Sequence, residues 1–159
     1  MIIFPKNYGR FLVLIFYLYL SYMDIKKYLS QLKELAIDSS KLAYAPYSNF
    51  HVGAALLMHS GKIFTGCNVE FSDYLALHAE VNAIGSAVNA GEKDIHAVVV
   101  YSTSSPPVLP CGSCRQKLFE FSLMFKHDIQ VIAFNDKNEH VETLLSELLP
   151  GGEIKVDKK

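Results

Sequence analysis

Apolar residues along the chain fall into alternating helical and strand-like patterns. From Asp24, the positions Ile25, Tyr28, Leu29, Leu32, Leu35, Ala36, Leu42 and Ala43 recur mostly at helical spacing, which predicts an amphipathic helix with Asp24 as its N-cap. This helix should end near Ala45, because Pro46 disfavours helical geometry in the residue before it. VGAALLM and KIFTGCNV, on either side of Ser60-Gly61, read as the two strands of a hairpin. A loop from Glu70 to Leu77 leads into a second helix, Ala79 to Ala90, with Gly91 as its stop. The β-branched run from Ile95 to Tyr101 reads as a buried strand, followed by a Ser- and Pro-rich loop from Ser102 to Pro110. Leu118, Phe119 and Phe121 carry a third helix that starts at Cys111, and Ile129 to Phe134 reads as a further strand. A polar turn at Asn135 to Asn138 and a short helix near Thr143 to Leu149 close the pattern. This order predicts an α/β fold: a three-layer α/β/α sandwich with helices covering a mixed sheet.

One segment breaks the pattern. Phe11 to Leu20 is an unbroken apolar run behind Lys6 and Arg10, shorter than the about 20 residues a bilayer span needs, and SYMDIKK after it offers no clean small-residue cleavage site. The expectation is that residues 1–22 are an apolar extension outside the native protein, with Met23 as the initiator and 23–159 as the functional domain. A membrane-proximal anchor and a packed or frayed extension are the alternatives. No membrane partner is expected.

Composition narrows the class. With 159 residues, 50% of them apolar, the chain fills one core and is too short for two ordinary domains. Lys and Arg number 15 against 16 Asp and Glu, which lacks the basic excess that phosphate-backbone binding demands, so no nucleic-acid partner is expected. Of the 3 cysteines, Cys111 and Cys114 have a spacing that suggests metal or redox chemistry, and a reducing cytoplasm is the expected location.

The chemistry concentrates in two segments, His78-Ala79-Glu80 and Pro110-Cys111-Gly112-Ser113-Cys114, each where a helix should begin. Together they fit the H-x-E and P-C-x-x-C signature of zinc-dependent nucleobase deaminases. Residues three apart on a helix share a face, so both thiolates can reach one ion, and the helix N-terminus favours their negative charge. His78 is the expected third ligand of one Zn2+ per chain, leaving an open fourth position for water, as in catalytic zinc sites. Glu80 lies two residues from His78 and is the expected proton carrier.

These residues resemble the nucleoside cytidine deaminase family. The resemblance extends from Ala43 to Gly151 through AYAPYSNF, VGAA, GCNVE, HAE, PCGSCRQ and ELLPG. It implies the cytidine deaminase-like fold and hydrolysis of the 4-amino group of cytidine or deoxycytidine to the uracil nucleoside and ammonia, in pyrimidine salvage. It further implies that Asn68 and Glu70 bind the ribose hydroxyls, that Phe50 packs against the nucleoside and that the backbone at Ala79 holds the base. The short length is similar to the homotetrameric members; a tetramer is expected, with a dimer as the alternative. Short-chain members usually carry Cys-Ala-Glu-Arg where this chain has His78-Ala79-Glu80-Val81. Two thiolates and a neutral imidazole leave a zinc site formally uncharged, so the arginine that offsets a three-thiolate site is not needed at Val81. Tyr74 is given no catalytic role.

Two rivals stay open. AIGSAVNAGEKD, from Ala83 to Asp94, resembles the corresponding helix of blasticidin S deaminases, which share the fold and the chemistry. A structural zinc stapling a binding module would use Cys67 as fourth ligand, and it would leave Glu80, Asn68 and Glu70 without a task. Taken without the family pattern, Phe50 reads as a core aromatic, Asn68 as a turn cap, Glu70 as a solvated charge and Cys67 as a small buried residue. His51, His59, His96, His127 and His140 are scattered and have no expected role in the zinc site.

Overall fold

The computed structural model describes residues 25–73 and 75–149. The apolar N-terminal run, Asp24, Tyr74, Pro150-Gly151 and the C-terminal tail lie outside the described residues. The chain divides into two compact units, Met1–Ser30 and Gln31–Lys159, and every residue of the expected site belongs to the second.

Helix α1 runs through residues 25–40. The strands are β1 (Val52–Met58), β2 (Ile63–Cys67), β3 (Val69–Glu70) and β4 (Ala76–Leu77), followed by α2 (Ala79–Asn89). Then come β5 (Ile95–Ser102), α3 (Gly112–Phe125), β6 (Gln130–Phe134), β7 (His140–Leu144) and α4 (Leu145–Leu148). The main sheet has the order β2-β1-β5-β6-β7, and β3-β4 forms a separate two-stranded ribbon. β5 and β6 are parallel and the other pairs antiparallel, so the sheet is mixed, as expected.

Strand alternation sorts the core onto two faces. On one face, Ala54, Leu56 and Met58 of β1 and Val98 and Val100 of β5 join Ala79, Ala83, Ile84 and Ala87 of α2 and Leu118 of α3 in one buried cluster. On the other, Gly53 lies against α1, where an added Cβ would sit 1.9 Å from the Ala36 carbonyl oxygen and 2.6 Å from the Ser40 nitrogen. Helices therefore cover both faces, and β5, buried on both, reads as a continuous apolar run for that reason.

Three expectations are corrected. The first helix stops at Ser40 and not near Ala45, because Tyr44 forms a parallel bridge to Val69. The Tyr44 amide donates to Asn68 O at 3.1 Å and the Glu70 amide donates to Tyr44 O at 2.8 Å, bonds a helix through Ala45 would forfeit. KIFTGCNV is interrupted at Asn68, after which β3 pairs with β4 inside the segment read as a loop. The final helix starts at Leu145, and Thr143 belongs to edge strand β7, whose His140 and Glu142 are exposed.

Candidate active site

The site forms where α2 and α3 begin. Both start abruptly from extended N-cap residues, His78 (φ −73°, ψ 154°) and Cys111 (φ −67°, ψ 168°), and neither side chain caps its own helix. The two side chains are turned toward each other instead. His78 Nδ1 lies 3.3 Å from Cys111 Sγ and 3.4 Å from Cys114 Sγ, and the sulfurs are 3.7 Å apart. Bonds of about 2.3 Å to sulfur and about 2.0 Å to nitrogen at a tetrahedral ion give edges of about 3.8 Å between sulfurs and about 3.5 Å between sulfur and nitrogen. The observed triangle fits a zinc ion to within a few tenths of an ångström, and the donor set is one zinc prefers. Cys67, half-buried at the end of β2, is not part of this group.

The electrostatics agree. Burial pushes the Cys114 thiol far above its ordinary value, and the neighbouring Glu80 carboxylate and the Cys111 sulfur push it further. A cation is what this arrangement needs for Cys114 to ionise. Glu80, in the first turn of α2, is buried although it carries a carboxylate.

Three contacts hold the two helix starts in place. Gly66 of β2 lets α2 descend onto the sheet: a Cβ there would lie 2.3 Å from Ala83 N and 2.5 Å from Ala79 O. The Asn82 amide donates to Cys67 O at 3.0 Å, tying α2 to the same strand end. Arg115 donates from Nε to Pro110 O at 2.5 Å and from Nη1 to Leu148 O at 3.1 Å, which fixes the loop before Cys111 against α4. Sequence reading missed Asn82 and Arg115 as positioning residues; the one signal available was the position of Arg115 next to Cys114.

Asn68, Glu70 and Phe50 gather in a second group around the start of β1. Asn68 is buried; its Oδ1 accepts from Val52 N and its Nδ2 donates to Phe50 O, both at 2.8 Å. This is more than a local turn cap. The Glu70 carboxylate accepts from Tyr47 N at 2.9 Å, from Ser48 N at 3.1 Å and from the Ser48 hydroxyl. These donors, the Ser48 hydroxyl first, hold the Glu70 pKa below its ordinary value, with partial burial opposing them. Phe50 is exposed, which corrects its reading as a core aromatic. Ala79 is fully buried and, as the first residue of α2, has an N–H without an acceptor inside the helix.

Comparison with known proteins agrees with this architecture. A family model described as the cytidine and deoxycytidylate deaminase zinc-binding region matches residues 26–127. The cytidine deaminase of Sporosarcina psychrophila is 39% identical over 136 residues, 85% of this chain and 95% of that protein. That of Halalkalibacterium halodurans is 41% identical over 117 residues, 73% of this chain and 86% of that protein. The crystal structure of cytidine deaminase from Burkholderia pseudomallei superposes with a TM-score of 0.71 at 40% identity, over 77% of this chain and 96% of that one. That from Mycobacterium tuberculosis superposes with a TM-score of 0.65 at 31% identity, over 77% of this chain and 94% of that one. The chain belongs to the cytidine deaminase family of hydrolases.

Proposed function

We propose that the protein hydrolyses the 4-amino group of cytidine and deoxycytidine with one zinc ion held by His78, Cys111 and Cys114. The observation that carries this reading is the zinc-sized triangle of these three donors beside a buried carboxylate. Zinc, when bound, supplies Lewis acidity and lowers the pKa of a coordinated water toward about 7. Glu80 takes a proton from the attacking water and delivers it to N3 of the base. The water oxygen bonds to C4, the bond from C4 to the amino nitrogen breaks, and a further proton carried by Glu80 lets the nitrogen leave as ammonia. Its burial keeps bulk water from competing for that proton.

In the second group, Glu70 and Asn68 receive the ribose hydroxyls and Phe50 packs against the nucleoside. Three of the about four acceptor positions of the Glu70 carboxylate are in use, and two of the four hydrogen-bonding positions of the Asn68 amide, so each retains capacity for a hydroxyl. The Ala79 N–H at the start of α2 is suited to a carbonyl oxygen of the base.

A cytoplasmic location fits three free cysteines among the described residues, two of them needed as metal ligands. Among the described residues no helix is long and apolar enough to cross a membrane. Exposed Leu42, Tyr44, Tyr47, Phe71 and Leu75 support self-association; we propose a homotetramer, with a dimer as the alternative, and light scattering distinguishes them.

The test is an ultraviolet assay of cytidine, deoxycytidine and blasticidin S in parallel, with zinc content measured on the same sample. Loss of the cytidine signal in zinc-loaded protein supports the reading. Turnover of blasticidin S alone reassigns the substrate, and loaded protein without turnover overturns the catalytic reading in favour of a zinc-stapled module.

A further inference from the structure

A second cluster of metal-ligating side chains sits at the opposite end of the sheet. His59 follows β1, Asp94 precedes β5, and His127 lies in the turn between α3 and β6. One ligand atom from each falls within 4.8 Å of the others. The zinc triangle lies beyond the far end of β5, whose 8 residues at about 3.3 Å each put roughly 20 Å between the two sites.

We propose that His59, Asp94 and His127 form a second divalent-metal site, taking a first-row ion of the zinc, cobalt and nickel group. Two imidazoles and one carboxylate form a borderline nitrogen and oxygen donor set that selects such ions over calcium or magnesium. The convergence of three ligand atoms within 4.8 Å of one another is the main support, joined by the orientation of His127. Its Nδ1 lies 3.1 Å from the Asp128 carbonyl oxygen, which accepts only, so Nδ1 carries a proton. That leaves Nε2 toward Asp94 Oδ1, 2.6 Å away in a hydrogen-bonded ion pair whose shared proton an ion would replace. A ring N–H fixed on a backbone carbonyl, leaving the other nitrogen directed at the ion, is how metal-binding histidines are oriented.

The frame is already assembled. The His59 amide donates to Asp94 O at 2.9 Å, locking the end of β1 to the start of β5. The His59 ring packs edge-on to His127 at 4.4 Å and to His96 at 4.6 Å. His59 Nε2 stands 4.0 Å from Asp94 Oδ1. Bonds of about 2.0–2.2 Å to a shared tetrahedral ion set its donors about 3.4 Å apart, so the exposed His59 ring would close on Asp94 by about 0.6 Å and the His127–Asp94 pair would open by about 0.8 Å. The nearby Asp128 carboxylate is engaged by Ile129 N, Ser146 N and the Ser146 hydroxyl, so it does not compete for the ion.

The test is equilibrium dialysis of untagged full-length protein against Co2+, read by metal content and absorption. Two ions per chain are expected. One gives the intense thiolate-to-cobalt absorption and depends on Cys111; the other adds none and is lost in His59→Ala and Asp94→Asn. On the wild type alone, the second equivalent should broaden the ring NMR signals of His59 and His127 and leave His140 sharp, a readout that does not depend on how the variants fold. A single ion per chain, a second ion unaffected by both substitutions, or broadening spread over all histidines would overturn the site. None of these outcomes bears on Cys111 and Cys114, so failure here is separate from failure of the deaminase reading.

Discussion

Cys114 shows how one residue depends on its surroundings. Buried beside Glu80, its thiol is held protonated unless a cation is present, so metal binding must release a proton there. Cys114→Ser and Cys111→Ser should each lower zinc content well below that of the wild type while leaving the far-ultraviolet circular dichroism intact. Unchanged zinc in either variant would remove that cysteine from the ligand set. Glu70 behaves in the opposite sense. Its folded pKa lies below its ordinary value of 4.5, so its ionised contacts to Tyr47 and Ser48 add stability above that pH and lose it as the pH falls through the lowered folded value. Denaturant midpoints of wild type and Glu70→Gln should therefore differ by a constant amount above pH 4.5 and converge only in stronger acid. Convergence already well above that pH would contradict the clamp.

At the scale of elements, the site exists because α2 rests directly on β2. Gly66→Ala would force a Cβ into the backbone of Ala79 and Ala83, at 2.5 Å and 2.3 Å, and neither strand nor helix can yield cheaply. A loss of about 1–3 kcal/mol or more is expected in chemical denaturation. Turnover should fall beyond that loss, because the displaced helix carries His78 and Glu80. Gly85 is the control: it is exposed on α2, a Cβ there meets nothing within 4 Å, and Gly85→Ala should stabilise by about 0.5–1 kcal/mol. Equal effects from the two substitutions would argue against close packing at Gly66. The same scale shows why part of the fold was illegible in the sequence. β5 announces itself because burial on both faces makes it continuously apolar. β7 does not, since an edge strand with exposed His140 and Glu142 lacks that signal. The early end of α1 depends on Tyr44 pairing with Val69, a partner 25 positions away that no local propensity encodes.

For the whole molecule, the grouping of His78, Cys111 and Cys114 was legible because each of its parts is local: His78 and Glu80 share one helix start, Cys111 and Cys114 another. The support around it was not. Arg115 reaches Leu148, and Asn68 joins Phe50 to Val52, contacts that exist only once the sheet has brought distant segments together. In this account, the fold brings two helix N-termini together over one end of a mixed sheet, places three soft and borderline donors at zinc spacing, and buries one carboxylate beside them. The most direct test is the kcat for cytidine of Glu80→Gln against wild type, with zinc measured on both samples. The account predicts equal zinc and a kcat lower by about 10²–10⁴-fold, the range general acid–base catalysis contributes. Near-normal turnover in the zinc-loaded variant would contradict it.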